Sequence, residues 1–362
     1  MLVSNLVRGS ALAIVLVLPA SVPALADQQM IGTPPASKGQ AFNPAIGVNM
    51  LGLFRRGTGL SDDRNDPVRN GLAIQEAELQ IQSDVDPYLR AVATLAVHQE
   101  EGSSELVLHP EELYLETLSL PRVTIRAGRF WIAMGKHNQL HTHAFPFIDA
   151  PLINQALLSD EGLGAVGLSA ATLLPTDWYS ELIVQGFDAE NETLYSSPRS
   201  GDIAGLVRLK NLFDLTDDLT MDLGVSATAG KNAADVTASV WGADLTFKWR
   251  PSIGGRYRAL IWTAEYLRGR NPGLGGGATW LQYQFAERWW AQARAEVLGL
   301  PDSDAGVPDQ NRQSALVGFF PSEFSGFRLQ YDRTSADGQD AVDHAIALQF
   351  NISIGAHPAH AY

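Results

Sequence analysis

Cysteine is absent from all 362 residues, so no disulfide holds the fold; a chain this long can be held instead by burial or by a closed ladder of backbone hydrogen bonds. Lysine is scarce, with only Lys38, Lys136, Lys210, Lys231 and Lys248, and the formal charge is −14, a balance that disfavours nucleic acid as a partner. Beyond the first 26 residues no apolar run reaches the roughly 20 residues that a membrane-spanning helix needs. Helical periodicity is scarce throughout. Enzyme signatures are missing too: there is no G-x-S-x-G, no Gly-rich phosphate loop followed by a helix and no H-E-x-x-H. His98 near Glu100 and Glu101, and His109 near Glu111 and Glu112, are close in sequence only, so no catalytic residue is assigned.

What is present begins with residues 1–26. One positive charge, Arg8, precedes an apolar run from Ala11 to Leu18, then Pro19 and the small-residue sequence Ala24-Leu25-Ala26, the order of a secretory signal peptide with cleavage expected before Asp27. Residues 27–42, rich in Pro, Gly, Ser and Gln without period, read as a flexible lead-in. Residues 43–362 then form one domain.

In that domain apolar and polar residues alternate with period two, which is the strand signature. From Val240 to Arg250, Trp241, Ala243, Leu245, Phe247 and Trp249 point one way while Asp244, Thr246 and Lys248 point the other. The same holds from Leu89 to Val97, and again for Ile346, Leu348, Phe350, Ile352 and Ile354 against Ala347, Gln349, Asn351 and Ser353. One face suits lipid and the other water, over about ten residues, the length of a tilted membrane strand.

Sixteen such segments are expected, at 45–54, 72–83, 88–99, 110–119, 122–134, 163–174, 178–187, 202–211, 219–229, 238–250, 255–268, 277–285, 288–298, 312–320, 326–334 and 343–354. Links after the even-numbered segments are short and those after the odd ones mostly longer, including 55–71, 135–162, 188–201 and 299–311. That rhythm is expected of an all-β, antiparallel up-and-down transmembrane barrel with short turns on one side and loops on the other. Trp178 with Tyr179, Trp249, Trp262 with Tyr266, Trp280 with Tyr283, Trp289 with Trp290, and Tyr331 fall towards strand ends or on outward faces, as aromatic girdles would. Pro358 cannot donate to a ladder, so the tail after 354, with its terminal Tyr362, reads as a short periplasmic extension.

The stretches "EAELQIQSDVDPYLRAVATLAV" (76–97), "EELYLETLSLPRVTIRAGRFWIAMGK" (111–136) and the ending "FNISIGAHPAHAY" resemble Gram-negative outer-membrane porin-like barrels of the phosphate-selective porin type. More closely they resemble a porin-sized group sometimes labelled zinc-regulated TonB-dependent outer-membrane receptors. The resemblance implies an outer-membrane location, lipid as the surrounding partner and small polar solutes or ions as cargo, with a homotrimer by analogy. It departs from TonB-dependent receptors, whose plug and larger barrel have no counterpart here, and from phosphate-selective porins, whose pores are lined by many Lys and Arg.

Taking the polar side of each strand as the pore lining selects the acids Glu76, Glu78, Glu112, Glu116, Asp244, Glu265, Glu296 and Asp332, the bases Arg90, Arg126, Arg208, Lys210, Lys248, Arg294 and Arg328, and His98. Eight acids against seven bases predict weak ion selectivity, at most mildly cationic; pairing across the wall is the structural alternative for each of them.

Three of the eight histidines, His137, His141 and His143, fall within the longest link, 135–162. By resemblance to sixteen-stranded porins, the loop after the fifth strand folds into the lumen and narrows it. Phe145, Phe147, Ile148, Leu152, Ile153, Leu157 and Leu158 would then pack on the wall. Imidazoles bind Zn²⁺ and similar ions, usually in sets of four ligands; Asp149, or His357 and His360, would have to complete such a set, and one continuous helix would join 137 to 141 but swing 143 away. The histidines are therefore metal ligands, transient contacts for passing Zn²⁺, or polar residues shaping a constriction. Three functional readings stay open: a passive channel for small polar solutes or ions, a zinc- or other metal-linked uptake barrel, and a soluble periplasmic β-rich binding protein.

Overall fold

The structure, a computed structural model, describes residues 44–355 except 67, 101–102, 189–193, 253–256 and 302–305. The expected signal peptide, the lead-in and the tail with His357 and His360 lie outside the described residues.

Sixteen strands follow one another: β1 (Ala45–Gly57), β2 (Gly71–Asp84), β3 (Leu89–Gln99), β4 (Leu106–Thr117), β5 (Val123–Trp131), β6 (Gly164–Leu173), β7 (Tyr179–Asp188), β8 (Ile203–Thr216), β9 (Leu219–Lys231), β10 (Thr237–Trp249), β11 (Ala259–Arg270), β12 (Gly275–Ala286), β13 (Trp289–Leu298), β14 (Gln310–Ser322), β15 (Ser325–Ala336) and β16 (Asp343–Gly355). Each pairs antiparallel with the next, and β16 pairs with β1 from Gly47↔Gly355 to Gly57↔Ala345, closing the barrel. Closure leaves no edge strand, so the strand ladder pairs its amides without needing water.

The period-two pattern becomes two surfaces. Outward positions carry Leu168, Val184, Val225, Trp241, Leu281, Leu329, Leu348 and Ile352, all exposed. An apolar belt of this extent belongs in lipid and would be a liability in water, which removes the footing of the soluble alternative. Trp280 departs from the expected girdle: it faces inward and is buried among Phe147, Leu53 and Leu316, because its side of β12 is the lumen side.

The rhythm of connections is looser than expected. The turn-side link between β10 and β11 takes residues 250–258, whereas loop-side links shrink to 232–236 and 271–274. Both ends of the described chain lie on the turn side, since β1 starts and β16 finishes there.

Of the register shifts in the ladder, two fall beside the buried carboxylates. In β2, Glu76 pairs with Leu51 but Ile74 with Gly52, leaving Gln75 unpaired. In β4, Glu112 pairs with Thr94 but Pro110 with Leu95, leaving Glu111 unpaired. An extra residue lets two neighbours share a face, and Glu111 and Glu112 are both buried in consequence.

The barrel is filled at mid-height. Between β5 and β6 the chain enters the lumen as 3₁₀ turns at His137–Gln139 and Thr142–Ala144 and the helix α1 (Leu152–Leu158). Ile153, Leu157 and Leu158 of α1 pack with Met134, Tyr195, Val240, Leu267 and Leu298 in one buried cluster, and Phe147 and Ile148 pack with Leu53, Trp280 and Leu316 in another.

Because the belt is a lipid surface, its energetics have a direct check. Leu348→Arg, on the outer face midway along β16, is expected to cost about 2–4 kcal/mol of folding free energy in liposomes, read by urea titration, while Gln339→Arg in the β15–β16 loop changes it little.

Candidate functional site: the infolded segment and its anchors

Residues 132–163 form a loop whose neck is tied by one side chain. Asn138 donates to the carbonyls of Ile132 (2.7 Å) and Leu163 (3.0 Å) and accepts the Leu163 amide (2.7 Å), beside the Ile132 N–H to Leu163 O bond of 2.9 Å. Gly135 turns the chain inward at φ +63°, and a Cβ there would stand 2.7 Å from Glu265 Oε1, so the turn needs glycine for both conformation and room.

From the neck, wall residues meet the loop around almost the whole circumference. Gln185 of β7 accepts the Ala133 amide (2.9 Å), Ser226 of β9 that of Gly135 (3.0 Å), and Glu265 of β11 those of Lys136 (2.8 Å) and His137 (2.9 Å) while also accepting from Asn154 (3.0 Å). Glu296 of β13 accepts the Leu152 amide (3.1 Å). Arg294 donates to the Asp149 carbonyl and carboxylate, both at 2.9 Å, and Arg312 of β14 to the Ala150 carbonyl (3.0 Å). Arg312 also pairs with Asp149 and with Glu296. On β15, Arg328 donates to the Phe145 carbonyl (2.6 Å) and Gln330 accepts the Ile148 amide (2.9 Å); Gln75 of β2 donates to the Ile148 carbonyl (2.8 Å). A loop inside a barrel cannot leave its amides and carbonyls unpaired, and these side chains supply the partners.

Several residues expected to line a pore are therefore loop anchors: Glu265, Arg294, Glu296 and Arg328. Others pair across the wall. Arg208 meets Asp244 (2.8 Å), Arg90 meets Asp84 (2.8 Å), Arg126 meets Glu116 (2.6 Å), Asp332 accepts from Gln330, and His98 meets Glu161 of the loop (2.8 Å). Lys210 and Lys136 share Asp222 (3.9 and 3.5 Å), and Lys248 stands on the neighbouring strand β10. Three of the five lysines thus gather on one side of the lumen, across from β2 and β4.

The opposite side is acidic. Glu76 and Glu78 of β2 and Glu111 and Glu112 of β4 surround His141 and His143. His141 Nδ1 lies 2.9 Å from Glu111 Oε2 and 3.1 Å from Glu78 Oε2, and its Nε2 lies 3.1 Å from Glu112 Oε2. His143 Nδ1 lies 3.2 Å from Glu78 Oε2. Burial alone would lower the His141 pKa, but Glu78, Glu111 and Glu112 outweigh it and hold the imidazole well above the usual histidine range.

The expected histidine trio is corrected here. His137 stands apart, packed on Phe145 with ring centroids 4.3 Å apart, and burial with the Arg294 charge pushes its pKa down to about 3. One 3₁₀ turn, Thr142–Ala144 with His141 at its N-cap, holds 141 and 143 with ring centroids 5.8 Å apart, and His137 lies in a separate turn. Asp149 is held on the far wall by Arg294 and Arg312 and cannot complete a site with them. Glu111 escaped the reading of the sequence because period two assigns it to the lipid face; the adjacent carboxylates Glu111-Glu112 in a strand were the only sign of a bulge.

No family model matches this chain. A protein of Aquifex aeolicus (strain VF5), described only as uncharacterized, is 26% identical over 345 residues, covering 81% of this chain and 71% of that one. Among solved structures the barrel is similar to Pseudomonas putida OprB (TM-score 0.62, 10% identity, 87% of this chain and 95% of that one). It is also similar to an anion-selective porin from Comamonas acidovorans (TM-score 0.53, 10%, 86% and 98%) and to OmpT of Vibrio cholerae in its trimer form (TM-score 0.53, 10%, 86% and 99%). Identities this low establish the fold alone: a closed, sixteen-stranded barrel of the outer-membrane porin type.

The anchoring role of Glu265 has a measurable consequence. Glu265→Ala removes the acceptor of three donors and is expected to cost about 2–4 kcal/mol in detergent unfolding, while opening residues 132–163 to protease; unchanged protease resistance would contradict the anchoring.

Proposed function

We propose that the protein is an outer-membrane channel for passive diffusion of small polar solutes or ions. The observation that carries this reading is an apolar outer belt around a polar lumen, with one loop folded in to narrow the passage. The likeness in fold to porins supports it. In this reading the signal peptide at 1–26 directs export, the turn side, where β1 starts and β16 finishes, faces the periplasm, and three copies pack as in the trimeric OmpT.

The mechanism is physical. A solute crossing mid-height passes between carboxylates on β2 and β4 and lysines on the loop, β8 and β10, so that cations and anions each meet an attractive wall. Opposed charge of this kind predicts weak selectivity, since neither sign is excluded. The infolded segment sets the bore, because the wall residues around it, Glu265, Arg294, Gln330 and Gln349 among them, are almost inaccessible to water. Conductance is accordingly low while the loop is seated.

Planar-bilayer recordings test this. Wild-type protein is expected to carry a small, weakly selective current, and Arg294→Ala with Arg312→Ala to raise it several-fold by freeing Asp149 and the segment around it. A barrel that shifts on heating in a gel, as folded barrels do, yet passes no ions in either form would sink the channel reading.

A further inference from the structure

The acidic side of the lumen crowds four carboxylates around two imidazoles. Glu76, Glu78 and Glu111 are at least nine-tenths buried and Glu112 nearly so. Among the described residues, the ion pairs of Glu78, Glu111 and Glu112 run to His141 and His143. Two imidazoles thus face four carboxylates. Glu76 Oε1 is moreover buried with no hydrogen-bond partner among the described residues. Carboxylates crowded in such a place are costly to ionise together unless a cation joins them.

The donor atoms are also spaced for one. Glu78, Glu111 and His141 each offer a ligand atom, all within 4.8 Å of one another, and so do Glu76, Glu78 and His143; Glu78 belongs to both sets. Ligands bound at about 2.0–2.1 Å on a tetrahedral ion stand about 3.3 Å apart. The separations of 2.9 Å (His141–Glu111) and 3.1 Å (His141–Glu78) need to widen only by tenths of an ångström. With Nδ1 on the ion, Nε2 of His141 faces Glu112 at 3.1 Å, the carboxylate–imidazole–metal relay that orients ligating histidines.

We infer that Glu78, Glu111, His141 and His143, with Glu76 alongside and Glu112 orienting His141, form a site for one divalent transition ion joining the infolded loop to the barrel wall. Mixed imidazole and carboxylate donors without sulfur suit Zn²⁺, Co²⁺ or Ni²⁺ and disfavour Mg²⁺, which takes oxygen and water. Two wall strands and the loop all contribute, so the ion fastens the loop to β2 and β4. His141 keeps 14% of its side-chain surface open, an entry from the lumen. The site depends on the fold and not on conduction.

The test is calorimetric titration of Zn²⁺, and of Mg²⁺ for comparison, into the full folded barrel in detergent after treatment with chelator, with Co²⁺ absorption as a spectroscopic check. One Zn²⁺ per chain is expected, with visible Co²⁺ bands that Zn²⁺ abolishes. His141→Ala and Glu111→Gln should weaken Zn²⁺ binding about tenfold or more and Glu112→Gln by about 10–100-fold, whereas His344→Ala leaves it unchanged. Heat-modifiability of each variant confirms that it is folded. A folded wild-type barrel that binds no Zn²⁺, binds Mg²⁺ equally well, or binds Zn²⁺ as tightly after His141→Ala would overturn the site. Current without Zn²⁺ binding defeats this inference alone, and Zn²⁺ binding without current defeats the channel alone.

Discussion

Everything in this molecule follows from the demand that backbone amides and carbonyls be paired where water is absent. In a bilayer the demand can be met by a sheet only if its last strand returns to its first, and the β1–β16 pairing does so. Closure then forces alternate residues into lipid and lumen. Leu348 and Gln349 are neighbours in sequence and belong to different solvents, one exposed on the belt and the other fully buried inside.

The same demand governs the loop inside. Its irregular backbone lies at membrane depth, which is tolerated only where protein or a wet cavity satisfies it. Gln185, Ser226, Glu265, Glu296, Arg312, Arg328 and Gln330 do so strand by strand around the wall. Charges that look like a selectivity lining in the sequence are in large part the hydrogen-bonding partners of a folded insert. The balance near neutrality on the inner wall has the same origin: Glu265 accepts from loop amides, while Arg294, Arg312 and Arg328 donate to loop carbonyls, and Arg294 and Arg312 also to Asp149.

What is left over after those pairings is unevenly placed. Lys136, Lys210 and Lys248 lie to one side with Asp222, and the glutamates of β2 and β4 lie to the other with two histidines. Bulges at Gln75 and Glu111 make the acidic side possible, since an unbroken strand would have sent one of each neighbouring pair into lipid. Polarity across the lumen is therefore a consequence of local register and not of composition, which shows only a modest excess of acid along the strands.

The sequence by itself determined the sixteen strands, their approximate spans, the closed barrel and 135–162 as the longest link, while the entry of that link into the lumen came from its resemblance to porins. These depend on short-range alternation and on turn chemistry, which a linear reading resolves. It also pointed to inward faces for Glu76, Glu78, Asp244 and Glu265. Only the tertiary structure decided which inward residues are anchors, that His141 joins His143 while His137 leaves them, that Trp280 is a core residue, and that Glu111 faces the lumen. Those outcomes rest on a bulge, on two 3₁₀ turns and on contacts between residues more than a hundred positions apart, such as Asp149 with Arg294. Periodicity holds no information about such pairings, because they are set by where the closed wall places each side chain around the loop.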